Sequence, residues 1–258
     1  MNQPREIALN YIGVAKAKTS LVWYKTLILA VMAGVFIALA GALATIAGSG
    51  FTGMQASLIK GAVFPLGLIL VVICGSELFT GNCLLVAPTL NKDIKATAML
   101  KNWGIVYIGN FIGAIIIAVL VVYGQAYSDS VVISAVDLVA KKSVNFGYAL
   151  LKGILCNMLV CLAVWAAMAS KNVTGKILAV YLPVFAFVVC GFEHSIANMY
   201  YIMAAFMTSA SGGLNFGYAI LNGLLAPTIG NIIGGGLIAV AYFATYFKQN
   251  KPKDSVEQ

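Results

Sequence analysis

The sequence predicts an all-α integral membrane protein of six spans, and three observations carry that reading. The first is composition. Of 258 residues, 61% are hydrophobic and 9% charged, with a mean hydropathy of +0.95, whereas a soluble domain is about 45–50% apolar and about 25% charged. The second is a series of apolar runs long enough to cross a bilayer, which takes about 20 residues each. The third is a polar motif that recurs inside two of those runs: "CGSELFTGN" at 74–82 and "CGFEHSIAN" at 190–198 both read Cys-Gly-x-Glu, with an asparagine five residues after the glutamate.

The elements follow in chain order. Residues 1–20, "MNQPREIALNYIGVAKAKTS", lack the continuous apolar core and cleavage site of a secretory signal. With Leu9, Ile12 and Val14 set against Arg5, Glu6, Lys16 and Lys18, they read as an amphipathic helix at the membrane surface. Spans are expected at about 26–47, 61–90, 102–123, 147–169, 178–208 and 219–247, followed by a tail at 248–258. The second and fifth are too long for one straight crossing, and both hold the repeated motif.

Topology comes from the basic residues. With the N-terminus inside, the cytoplasmic side receives Arg5, Lys16, Lys18, Lys25, Lys92, Lys95, Lys101, Lys171, Lys176, Lys248, Lys251 and Lys253. The outside receives Lys60, Lys141, Lys142 and Lys152, the asymmetry of the positive-inside rule. Residues 1–258 therefore read as one transmembrane domain of the cell's inner membrane, with both termini cytoplasmic. The net charge of +8 flanks apolar runs instead of clustering, so the partner is the bilayer and not nucleic acid. Five cysteines, at 74, 83, 156, 161 and 190, all fall in apolar segments; an odd number so placed argues against a disulfide framework and for small reduced hydrophobes.

A second repeat widens the first. "IGNFIGAIIIAV" at 108–119 and "IGNIIGGGLIAV" at 229–240 share Ile-Gly-Asn-x-Ile-Gly and the closing Ile-Ala-Val. Residues of about 26–123 and about 147–247 thus read as two copies of a three-span unit. An odd number of spans per copy turns the second upside down relative to the first. In transporters built that way, interrupted spans at matching places mark the pathway near the midplane. The glycines on the third and sixth spans call for close helix packing, within the protomer or between protomers.

Glu77 and Glu193 are the acidic residues within the spans, and a charge at the bilayer centre costs about 2.5–3.5 kcal/mol on insertion scales. Thr80, Gly81 and Asn82 invite a helix break, whose freed backbone groups hydrocarbon cannot satisfy. Glu77 and Glu193, with Asn82 and Asn198, read as anchors accepting hydrogen bonds from the broken backbone, a proton relay being the alternative. His194, the chain's one histidine, lies in the second motif. With an ordinary pKa of about 6.5, it can offer an anion a hydrogen bond or a proton. Thr80, in the matching break, offers a hydroxyl donor without a fixed charge. Phe64, Phe79, Phe185 and Phe187 crowd the same spans, where rings across a pore act as dewetting constrictions or else simply pack. No Asn-Pro-Ala, HExxH or GxSxG string and no paired metal-ligand cluster occurs, so neither an enzyme nor a cofactor is expected.

At these residues the chain resembles the formate/nitrite transporter family, in "GSELFTGN", "GILCNMLVCLAVW" (153–165), "CGFEHSIANMY" and "PTIGNIIGGG". The resemblance covers essentially the whole chain and, within the family, is nearest to a hydrosulfide-channel branch. It implies an aquaporin-like protomer of six helices, with spans two and five interrupted, assembled as a homopentamer with one pore per protomer. The implied function is passage of small inorganic or one-carbon weak-acid anions of the hydrosulfide, formate and nitrite class; facilitation of small neutral solutes is the alternative. Carried over by position, Thr80 is the loop threonine, preceded by constriction residues Leu78 and Phe79. Phe64 and Phe187 form the other constriction, with Leu68 on the wall. His194 is the central histidine, and Asn157 and Asn231 face the pore. Lys16 inside and Lys141 outside draw anions in; Lys142 is the neighbour that can take Lys141's place, and Lys152 reads as a snorkelling residue.

Overall fold

A computed structural model describes residues 1–142, 144–208 and 210–247; the expected tail at 248–258, with its three lysines, lies outside the described residues. The described chain is helical throughout. Five helices are long and apolar enough to cross a membrane: α2 (Trp23–Gly48), α3 (Gly53–Cys74), α5 (Ala96–Tyr123), α7 (Phe146–Ala169) and α10 (Phe216–Phe247). Two shorter pieces, α8 (Val173–Val189) and α9 (Ser195–Phe206), occupy the segment expected as the fifth span. The expected second span likewise divides into α3 and the shorter α4 (Phe79–Leu90). Both divisions fall at the repeated motif.

Two elements differ from expectation. The N-terminal helix, α1 (Pro4–Ser20), buries Ile7, Ala8, Tyr11 and Ala15, not the stripe of Leu9, Ile12 and Val14. Its buried face meets protein: the Tyr11 ring lies 6.4 Å from that of Trp165. Asn2 donates from its backbone to Ala169 O and from its side chain to Met168 O, tying the chain's start to the end of α7. The second is α6 (Asp129–Lys142), for which no element was expected. It is too short and too polar to read as a span, but Val131, Ala135 and Val139 are buried at four-residue spacing. Asp129 in its first turn and Lys141 and Lys142 in its last complement the helix dipole.

The close packing called for by the glycines occurs inside the protomer. α5 lies along α2, and α10 along α7. A Cβ at Gly113 would fall on the carbonyl oxygen of Val31, and one at Gly234 on that of Ile154. Gly230 meets Leu150 O in the same way, while a Cβ at Gly109 would meet the Ala30 methyl first. Backbones approach this closely only where no side chain intervenes, the means by which membrane helices associate without a hydrophobic driving force.

Replacing Gly234 with leucine must therefore push α10 off α7 and not merely fill a gap. Overpacking costs about 1–3 kcal/mol even where side chains can adjust; here the obstacle is backbone, so little folded protein is expected. Gly236, which has open space around its Cβ position, should tolerate alanine. Fluorescence-detected size exclusion in detergent separates the two, and an unchanged peak for Gly234→Leu would contradict this packing.

Candidate functional site

The glycine of each motif ends a helix. Gly75 (φ +76°) and Gly191 (φ +67°) occupy the left-handed region, which glycine enters without steric cost and which commonly closes helices. The next residues are extended, and helix resumes at Phe79 and at Ser195. Thr80, Gly81 and Asn82 therefore lie in the first turn of α4, not in the break: Asn82 N–H already donates to Leu78 O at 2.9 Å.

Each break exposes a carbonyl and an N–H, and one buried asparagine satisfies both. Asn110 on α5 donates to Glu77 O (2.9 Å) and Ala30 O (2.7 Å) and accepts from Phe79 N–H (3.0 Å). Asn231 on α10 donates to Glu193 O (2.9 Å) and Gly153 O (2.8 Å) and accepts from Ser195 N–H (2.9 Å). Neither asparagine is exposed at all. The glutamate side chains do not perform this task, contrary to expectation, because they point to lysines. Glu77 pairs with Lys18 and Glu193 with Lys142, both at 2.6 Å. Asn82 and Asn198 each donate to the glutamate of their own motif, at 2.7 Å to Glu77 Oε2 and Glu193 Oε2. Each buried carboxylate thus has a cation and an amide, the pairing that makes a charge tolerable away from water.

Between the two breaks, Thr80 Oγ1 and His194 Nε2 lie 2.9 Å apart, both buried. His194 also caps α9: its Nδ1 accepts from Ala197 N–H at 3.1 Å. A nitrogen that accepts carries no proton, so the neutral ring holds its proton on Nε2 and donates it to Thr80. The Thr80 hydroxyl proton is then left for a third group. Doubly protonating His194 would break the helix cap. Phe187 stacks on His194 with centroids 5.9 Å apart and meets Phe64 edge-on at 5.9 Å.

Two cavities reach the chain neighbours of this pair, one Leu78 and Gly81, the other Glu193. One, of about 410 Å³, is lined by Lys18, Glu77, Leu68, Leu78, Tyr11 and Lys176 among others. A smaller one, of about 60 Å³, opens at the far end of α7 beside Lys141, Lys142, Lys152 and Glu193. Leu68 and Leu78 stand on the first wall, whereas the Phe79 ring turns away and packs edge-on against Trp103 (5.9 Å) and Tyr107 (5.0 Å).

With this geometry the comparisons with known proteins agree. Residues 5–245 match the family model described as formate/nitrite transporter. The chain belongs to the formate/nitrite transporter family. A probable formate transporter of Methanothermobacter thermautotrophicus is 36% identical over 95% of this chain and 97% of its own. A formate channel of Escherichia coli (strain K12) is 37% identical over 88% of each. Among solved structures, a pentameric formate channel with formate bound superposes with a TM-score of 0.81 at 32% identity, covering 88% of this chain and 98% of that one. A structure described as an FNT family ion channel gives 0.81 at 29%, covering 93% and 97%.

Within this member of the formate/nitrite transporter family, the structure brings together Thr80, His194, Phe64 and Phe187, with Leu68 and Leu78 on the adjoining cavity wall. Asn157 reaches the same place through the backbone, donating to Thr80 O at 3.1 Å and Asn231 O at 2.7 Å, with its Oδ1 buried and unpartnered. Asn231 spends every side-chain bond on backbone. Lys16 is exposed on α1, one helical position group away from Lys18, the residue that meets the carboxylate; Lys141 is exposed beside the paired Lys142. Sequence reading missed two polar residues: Asn110, visible only as a repeat match to Asn231, and Ser195, whose buried hydroxyl next to His194 has no partner among the described residues.

Asn231→Ala would orphan Ser195 N–H and Glu193 O and remove the second bond to Gly153 O, whose carbonyl lies inside α7. An unsatisfied buried group costs about 1–3 kcal/mol, so thermal unfolding in detergent should begin at least about 5 °C lower. A shift below about 2 °C would show that the break does not depend on this residue.

Proposed function

We propose that the protein is a homopentameric channel of the cell's inner membrane, in which each protomer passes small monovalent weak-acid anions through its own pore. The observation that carries this is the buried Thr80–His194 hydrogen bond at the meeting of two helix breaks, between two lysine-bearing cavities. The similar proteins described as formate channels and as a pentameric formate channel support the substrate class and the assembly. We read the architecture as six spans in two inverted repeats, α8 and α9 together making the fifth. The paired bonding of Asn110 with Asn231, and of Lys18–Glu77 with Lys142–Glu193, supports that plan. The basic-residue asymmetry puts both termini in the cytoplasm, so the larger cavity opens inward.

An anion is gathered by lysines at a mouth, Lys16 and Lys141 standing at the rims, where low-dielectric walls focus the field. It then meets a dry constriction, Leu68 and Leu78 on one side or Phe64 and Phe187 on the other, that strips its water. At the midplane the Thr80 hydroxyl replaces part of that shell. Because His194 donates to Thr80 and accepts from Ala197, the pair offers a polarised neutral donor, strong enough to admit an anion and too weak to trap it. Glu77, Glu193, Asn82 and Asn198 hold the breaks. Hydrosulfide passing at least as fast as formate would put the protein in the hydrosulfide branch, our reading of its motifs.

Flux assays on purified protein in liposomes test this, comparing formate, nitrite and hydrosulfide with chloride, alongside swelling in an uncharged solute. The three weak-acid anions should pass faster than chloride. Thr80→Val, similar in shape but without the hydroxyl, should lower that flux at least about tenfold, equivalent to about 1.4 kcal/mol, while Thr80→Ser retains it. Swelling without anion flux would instead support a facilitator of neutral solutes, and a conducting Thr80→Val would remove the hydroxyl from the mechanism.

A further inference from the structure

The ion pairs leave two other lysines unexplained. Lys60 on α3 precedes Glu77 by the same number of residues as Lys176 on α8 precedes Glu193. They occupy the same register in the two halves and, if the halves are inverted, opposite ends of the pore. Both are half-buried. Among the described residues two ion pairs occur, Lys18–Glu77 and Lys142–Glu193, and neither Lys60 nor Lys176 takes part in one.

Their surroundings differ from those of a snorkelling surface lysine. Lys176 lines the 410 Å³ cavity with Lys18 and Glu77. Lys60 runs its aliphatic stem over Gly48 of α2, so closely that a Cβ there would overlap it, and its charged neighbours are Lys141 and Lys142. Phe64 N–H donates to Lys60 O at 3.0 Å, so Lys60 stands one turn outside the Phe64–Phe187 contact. Glu77 and Glu193 each neutralise the lysine they meet, while Lys176 and Lys60, each from the half opposite to that glutamate, have no carboxylate partner among the described residues.

A locked Lys–Glu pair presents little net field to an approaching ion, since the two charges cancel within a few ångströms. An unpaired, half-buried ammonium does present one, and it also lacks a counter-ion. We propose that Lys60 and Lys176 seat the permeating anion at the two mouths, one at each end, while Lys18 and Lys142 serve the helix breaks. This rests on the anion-channel reading above. It assigns capture to residues of the half opposite to the one that supplies the locked pair.

Saturation of formate flux in proteoliposomes tests it, measured at low ionic strength and again with about 1 M potassium gluconate, where the Debye length falls to about 3 Å. Lys60→Gln and Lys176→Gln should each raise the half-saturating formate concentration about fivefold at low ionic strength, the size expected for one partly screened ion contact. The difference from the parent should shrink at high salt, and Lys60→Arg and Lys176→Arg should restore it. Lys60→Met keeps the stem over Gly48, so a pentamer that assembles with Met and shows the same rise separates charge from packing. Unchanged half-saturation in the Gln and Met variants of a conducting parent overturns this assignment alone. So does a rise that persists at high salt. A parent that passes no anion overturns the channel reading, and this inference with it.

Discussion

The structure depends on one constraint: a backbone that stops being helical inside hydrocarbon must have its freed groups bonded by protein. Asn110 and Asn231 meet it, each with two donated bonds and one accepted bond across a break. They can do so only because α5 and α10 lie against α2 and α7 at backbone contact. The string Ile-Gly-Asn-x-Ile-Gly supplies both requirements at once. Its glycines bring the helices together, and its asparagine, between them in sequence, reaches the break. The carbonyls so fixed belong to Glu77 and Glu193, which sets where those carboxylates start and hence which lysines they meet.

A second consequence is the distribution of charge. The breaks are bridged by neutral amides, so no fixed charge is needed at the midplane, and the ion pairs lie toward the mouths. Lysines line the two cavities, while the Thr80–His194 contact offers hydrogen bonds only. His194 fits this division because its two nitrogens are both committed, one to capping α9 and one to Thr80. A histidine so held orients the Thr80 hydroxyl; to relay a proton, one of its nitrogens would have to change partner with each passage.

Much of this was legible in the sequence. Composition identified the membrane, the apolar runs located the five helices long enough to cross it, and the doubled Cys-Gly-x-Glu motif located both breaks. What was not legible has physical causes. The motif named Glu77 and Glu193 as anchors because carboxylates are the costly groups; the cheaper asparagine that does the bridging sits on another helix, and only the Ile-Gly-Asn repeat hinted at it. Lys16 and Lys18 are separated by about half a helical turn on α1, and no periodicity says which one faces inward until Tyr11 and Ala15 are seen to be buried. α6 escaped because an amphipathic helix of moderate hydropathy looks like a loop when spans are sought. The family resemblance put Phe79 with Leu78 at a constriction, yet successive residues at a helix start point to different sides, and the Phe79 ring packs on Trp103 and Tyr107.

The two breaks are alike in how they are held and unlike in what they present. The residue after the glutamate is Leu78 in one and His194 in the other, and the residue matching Thr80 is Ile196. The Thr80–His194 bond therefore joins positions that are not equivalent in the two motifs. Two threonines at matching places could bond in either direction, so neither hydroxyl proton would be reserved. Two histidines capped in the same way would both point a donor at the contact. One of each fixes the direction, from His194 Nε2 to Thr80 Oγ1, and leaves a single hydroxyl proton to offer. Divergence at this one contact converts a repeated scaffold into a site with one donor direction.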